Sequence, residues 1–221
     1  MEGSPVDVVI VAFEEFTDVD VFFMWDLLKR VRAPGWSVRV LGDRPQHTSS
    51  TGLPVPIHGP LSDANAADIV LFTSGPGTRA KCRDAAWLAQ FRLDPSRQLI
   101  GSMCSGALIL AALGLLDGKP ATTYPTAKGV LEGFGVEVVE RPFVSEGNIA
   151  TAAGCLAVQY LVGWVIERAV GPEARADVLR SVQPVGEGLS FAETERVQAI
   201  YAGTKNAEPG AAADGSKAGR R

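Results

Sequence analysis

Histidine is scarce in this chain, with only His47 and His58, and cysteine is little more abundant, with Cys82, Cys104 and Cys155. Three cysteines with no C-x-x-C pair exclude a disulfide framework and a structural zinc site at this level, and point to reduced thiols in a reducing compartment. No apolar run reaches the ~18 residues that a membrane span needs. Met1 to Pro5 lacks the basic start and apolar stretch of a secretory signal. The expectation is a cytoplasmic protein without a membrane partner. A basic surplus is absent too: 21 Lys and Arg stand against 25 Asp and Glu, for a net charge of −4. The basic residues are scattered and form no stripe that could track a phosphate backbone, so nucleic acid is excluded as a partner.

What is present is the apolar content of a soluble globular protein, 46% hydrophobic and 21% charged over 221 residues. That is enough for one domain with a substantial core, expected over 5–203. From Thr204 the sequence is Ala, Gly and charge with no apolar face, which reads as a disordered tail, 204–221. Val6 to Phe13 is a short β-branched run suited to a strand covered on both faces. Asp18 to Val31 reads as a helix, with Val21, Trp25 and Leu28 on one face and Asp18 placed to cap its start. Trp36 to Leu41 alternates as a strand does, and Leu53 to Ile57 reads as an antiparallel excursion after a polar loop around His47. Asp68 to Thr73 and Gln98 to Met103 are buried strands, with a helix through Trp87 and Phe91 between them. This β-α-β-α alternation predicts an α/β fold with a mostly parallel central sheet and helices on both faces. Ala121 to Tyr124, Val136 to Val139 and Ile149 to Ala152 read as further strands, and Leu156 to Val170 as a last helix.

The strand ending at Met103 runs straight into Cys104-Ser105-Gly106 and the apolar helix Ala107 to Leu113. A side chain at such an elbow stands clear of the sheet and meets the backbone N–H groups of the helix start, which also lower a thiol pKa. Small residues at Ser102 and Gly106 let the two backbones approach. The competing reading makes Cys104 a small buried hydrophobe. Cys82, beside Arg79, Lys81 and Arg83, reads as an exposed incidental thiol. Cys155 reads as core, with its helix-start position leaving a functional role open. Phe22, Phe23 and Met24 serve core packing, a dimer surface or a pocket wall.

The Cys104 elbow, the stretch Gly118-Lys119-Pro120-Ala121-Thr122-Thr123-Tyr124, the segment Phe13 to Leu28 with Asp20, and Gly147 to Thr151 together resemble the ThiJ/PfpI superfamily over about Val6 to Val170. The resemblance implies a flavodoxin-like sandwich with a cysteine nucleophile elbow, a homodimer, and an acid touching the cysteine sulfur. The matching acid is Asp20, an aspartate as in the isocyanide hydratase branch where the deglycase-like branch generally has glutamate. No metal or organic cofactor is implied. A protonated Asp20 donates to a Cys104 thiolate, whereas an ionised one repels it, so the proton belongs on Asp20. Read without the resemblance, Asp20 is equally a helix-start acid. The implied activity is a hydratase or lyase for a small electrophile, best an isocyanide converted to an N-formyl amine. Its rivals are a glyoxalase or deglycase acting on dicarbonyls, a redox sensor built on Cys104, and a relative that kept the scaffold and lost the chemistry.

Two positions depart from the superfamily pattern. Tyr124 stands where many relatives have histidine, which argues against a Cys–His peptidase, and His47 and His58 read as solvated loop residues. Thr73-Ser74-Gly75 replaces a Pro-Gly-Gly turn. Gly75 remains, and its N–H and that of Ser105 are candidates for holding developing negative charge, or Gly75 is only a turn residue. Tyr124, Ser105 and Gly75 are therefore the candidate substrate-binding residues. Gly75-Pro76-Gly77-Thr78-Arg79-Ala80 also fits a relaxed dinucleotide pattern, but no ribose-binding acid follows at the next strand.

Overall fold

The computed structural model describes residues 5–202. The tail expected at 204–221 lies outside them, as does residue 203. In chain order the elements are β1 (Val6–Val11), α1 (Asp18–Lys29), β2 (Trp36–Gly42), the short strands β3 (Gln46–Thr48), β4 (Pro54–Pro56) and β5 (Gly59–Pro60), then β6 (Ile69–Phe72). Two single-turn helices, α2 (Thr78–Lys81) and α3 (Ala85–Leu88), lead to β7 (Leu99–Met103) and α4 (Ala107–Ala112). There follow β8 (Pro120–Ala121), α5 (Lys128–Glu132), β9 (Glu137–Val138), β10 (Phe143–Glu146), β11 (Ile149–Ala152), α6 (Val158–Ala169), α7 (Pro172–Arg180) and α8 (Thr194–Ala202).

Seven strands form the main sheet in the order β10-β11-β7-β6-β1-β2-β5. Every pair is parallel except the β10–β11 hairpin. Period-two alternation divides the core into two layers. Val8 and Ile10 of β1 pack with Met24, Leu27, Leu161 and Val165 from α1 and α6. Val9 and Val11 face the opposite side, with Phe72, Trp87, Leu108 and Leu131. Because both faces are covered, the central strands are apolar throughout. This is the flavodoxin-like sandwich expected from the sequence.

Several boundaries differ from that expectation. Asp18 does not cap α1: it is the first helical residue, Thr17 holds the cap position, and the Asp18 carboxylate accepts from the Thr51 hydroxyl at 2.8 Å. The stretches at Ala121–Tyr124 and Val136–Val139 shrink to two residues each and pair with one another, outside the main sheet. Thr122 and Thr123 leave the strand because their side chains bind backbone elsewhere, Thr122 Oγ1 to Arg141 O at 2.7 Å and Thr123 Oγ1 to Cys104 O at 2.9 Å. The polar loop around His47 is β3, paired antiparallel with β4. His47 itself is 1% exposed, between Asp43 at 2.9 Å and Glu14 at 3.3 Å, so it is not a solvated loop residue. His58 is exposed but stacks on Trp25 and accepts from the Val40 N–H. Cys82 is buried too, not an exposed thiol. Met24 is core, Phe23 packs against that core, and Phe22 is exposed. No helix among the described residues is long and apolar enough to cross a membrane.

Candidate active site

Parallel sheets concentrate functional loops beyond the carboxyl ends of their strands, at the point where strand order reverses. Here the chain goes outward from β1 to β2 and then returns to place β6 on the other side of β1. The segments following β1, β6, β7 and β11 converge at that crevice. They supply Asp20, Ser74 with Gly75, Cys104 with Ser105, and Cys155, respectively.

Cys104 is the first residue of a 3-10 turn, Cys104–Gly106, that joins β7 to α4. Its φ is +46°, a left-handed conformation that costs an L residue about 1–2 kcal/mol. The surroundings hold it there. Thr123 Oγ1 clamps the Cys104 carbonyl, and a Cβ on Gly106 would stand 2.6 Å from Thr73 O, so only glycine lets the turn lie against β6. Cys104 as a whole is 3% exposed. It opens onto a cavity of about 540 Å³ lined also by Thr17, Arg79, Tyr124 and Cys155.

Asp20, in the first turn of α1, is fully buried. Ser74 Oγ donates to its Oδ2 at 2.5 Å and lies 3.1 Å from Thr17 Oγ1. Oδ1 has no oxygen or nitrogen partner among the described residues. A carboxylate oxygen of Asp20 and the sulfurs of Cys104 and Cys155 all lie within 4.8 Å of one another. Burial pushes the Asp20 carboxyl above the usual carboxylate range, against hydrogen bonds from Ser74, Cys155 and Cys104. Burial, followed by the charges of Asp20 and Cys155, drives the Cys104 thiol far above an ordinary thiol, with the Gly154 N–H pulling it back. Cys155 is pushed up to about 11 by burial and by Asp20. The three acids share one desolvated space, in which the Asp20 charge disfavours ionisation of both thiols while the thiols, as donors, favour that of Asp20.

The remaining expected residues reach the cavity in different ways. Tyr124 is 45% exposed and lines both this cavity and a neighbouring one of about 640 Å³. Ser105 is buried, with Oγ 3.0 Å from Thr78 Oγ1 and accepting from the Gly75 N–H at 3.3 Å. That N–H is thus directed at a side chain, by a long contact that a stronger acceptor can displace. A Cβ on Gly75 would overlap the Glu15 carbonyl oxygen, and one on Gly77 that of Glu14. These glycines admit the β1–α1 loop; close backbone packing, not a pyrophosphate, accounts for the dinucleotide-like spelling.

Two residues of the site are not evident from the sequence pattern. Ser74 stands out there only as a departure in a turn, yet its hydroxyl holds the acid. Cys155 reads as core, but it is half-buried at the mouth of the 3-10 turn before α6, following Gly154 with φ +87°. The signal available is its place at a strand-to-helix junction, the same local context as Cys104.

A model of the DJ-1/PfpI family matches residues 6–168. An isonitrile hydratase of Pseudomonas putida is 32% identical over 111 residues, covering 50% of this chain and 49% of that enzyme, so the match spans about half its length. A deglycase of Pyrococcus horikoshii is 26% identical over 145 residues, 64% of this chain and 86% of the relative. A ThiJ/PfpI family protein from Pseudomonas syringae superposes with a TM-score of 0.75 at 21% identity, covering 92% of this chain and 89% of the other.

Proposed function

This chain belongs to the DJ-1/PfpI family, and from that premise we propose that it is a cysteine-dependent hydratase of a small electrophile, with isocyanides as the substrate class. The observation that carries the reading is a fully buried aspartate, held by Ser74, beside a cysteine on a strained elbow at the floor of a cavity. The partial match to an isonitrile hydratase supports the same substrate class.

The Cys104 thiolate adds to the terminal carbon of R–N≡C, and the Asp20 carboxyl gives its proton to that carbon, leaving a thioimidate, R–N=CH–S–Cys. Water then adds to the same carbon while Asp20 takes one of its protons. Asp20 then gives that proton to nitrogen and takes the hydroxyl proton as the tetrahedral adduct collapses, releasing R–NH–CHO and the thiolate and leaving Asp20 protonated for the next turnover. Asp20 must hold the first proton for this to run. Its burial favours the neutral form, and a neutral Asp20 removes the charge that, after burial, most raises the Cys104 thiol, and donates to the thiolate instead of repelling it. Tyr124 and Ser105 shape the cavity, and Gly75 N–H exchanges Ser105 for developing negative charge. The family resemblance further implies that the active species is a homodimer.

The test is turnover of an aliphatic isocyanide and of methylglyoxal by wild type, Cys104→Ala and Asp20→Asn, with products identified. The expected result is formamide from the isocyanide, none with Cys104→Ala, and a rate on the order of 10²–10⁴ lower with Asp20→Asn, the usual worth of a positioned acid. Asp20→Asn keeps an acceptor for Ser74 and leaves Cys104 open to alkylation. Lactate from methylglyoxal in place of formamide moves the chain to the glyoxalase and deglycase reading, which the match to the Pyrococcus horikoshii relative favours. Neither product from either substrate would sink the hydratase.

A further inference from the structure

Cys155 has no role in the chemistry above, yet it completes a cluster. We propose that Asp20, Cys104 and Cys155 form a binding site for a thiophilic divalent cation of the zinc and cadmium class, whose occupancy silences the nucleophile. A tetrahedral zinc stands about 2.3 Å from thiolate sulfur and about 2.0–2.2 Å from carboxylate oxygen, which places neighbouring donor atoms about 3.6–3.8 Å apart. The three atoms here already lie within 4.8 Å of one another, so small side-chain rotations close the site.

The state of the Asp20 carboxyl points to a ligand as well. Asp20 is fully buried, and its Oδ1 has no oxygen or nitrogen partner among the described residues, so the two thiols beside the carboxyl are the groups left to meet it. The Ser74 hydroxyl meanwhile fixes Oδ2, the outer hydrogen bond that orients a ligating carboxylate. Two sulfurs select a soft cation over magnesium or calcium. Both cysteines line the cavity, which gives the ion a path and leaves the fourth position to water. Binding exchanges the protons of the two thiols for the cation, so affinity rises with pH. Inhibition rests on the reading of Cys104 as nucleophile; binding does not.

The experiment titrates cadmium into reduced, chelator-stripped full-length protein and follows the ultraviolet sulfur-to-metal charge-transfer band, with zinc competing. One equivalent is expected to bind. Cys104→Ala, Cys155→Ala and Asp20→Asn are each expected to lose more than the roughly 10–100-fold that outer-shell substitutions cost, while Cys82→Ala binds as wild type does. Cadmium is expected to raise the melting temperature of wild type and not of Cys155→Ala. Should Cys155→Ala fold poorly, Cys155→Ser removes the sulfur at nearly constant size. A wild type without the band, or unchanged affinity in any of the three ligand variants, overturns the site. Isocyanide turnover by Cys155→Ala that zinc no longer inhibits supports the inhibitory role; binding is read without substrate and stands apart from the function test.

Discussion

Asp20 shows how burial turns an ordinary acid into a functional one. An aspartate in the first turn of a helix usually serves the helix dipole as an exposed anion. This one lies under the crevice, where desolvation raises its pKa above the ordinary 3.8. The folded state therefore holds the proton more tightly than the unfolded chain does, and this group's contribution to stability falls as pH rises from about 3.8 through the raised value. Asp20→Asn has no charge to bury. Its melting temperature, measured on metal-free protein, is expected to match wild type in acid, to exceed it by a margin that grows across that window, and to keep that margin above it. A margin that stays flat with pH would mean that Asp20 keeps an ordinary pKa. Cys104 bears a different cost, its left-handed φ, which the Thr123 clamp and the Gly106 contact maintain.

At the scale of elements, the junction from β7 through the 3-10 turn to α4 sets the position of the thiol. Its critical contact is Gly106 against the carbonyls of Phe72 and Thr73 at the end of β6. Gly106→Ala is expected to cost about 1–3 kcal/mol by overpacking and to lower turnover more than its stability loss explains, because the shift passes directly to Cys104. Denaturant midpoints and rates at a temperature where the variant is fully folded separate the two effects. The helix expected through Trp87 and Phe91 breaks into α2 and α3 because Asp84 starts a new turn, its carboxylate capping the Trp87 N–H. The hairpin strand β10 and the helices α7 and α8 are not legible in the sequence pattern. Phe143–Glu146 is half-buried at a sheet edge, and α7 and α8 bury few residues, so neither carries a strong apolar period.

For the whole molecule, the two apolar layers lock the sheet between α1 with α6 on one side and α4 with α5 on the other, and the crevice opens at the strand ends. The proposed homodimer predicts sedimentation at twice the 23.3 kDa chain mass; a single species at 23.3 kDa over micromolar concentrations would dismiss it.

Sequence alone determined the features that depend on neighbours along the chain. The β-branched runs of β1, β6 and β7, the apolar stripe of α1 and the small residues around Cys104 are local patterns, and local patterns encode strands, helices and a tight turn between them. In the sequence, Asp20 and Cys104 pair only through the family resemblance. Tertiary structure decided what meets what. Asp20, Cys104 and Cys155 come from three separate strand ends, and nothing in their spacing says that the sheet order brings those ends together. Ser74 holds Asp20, and Cys155 neighbours the nucleophile instead of filling the core, for the same reason. Burial and proximity belong to the folded sheet, and they alone place three acids in one desolvated space.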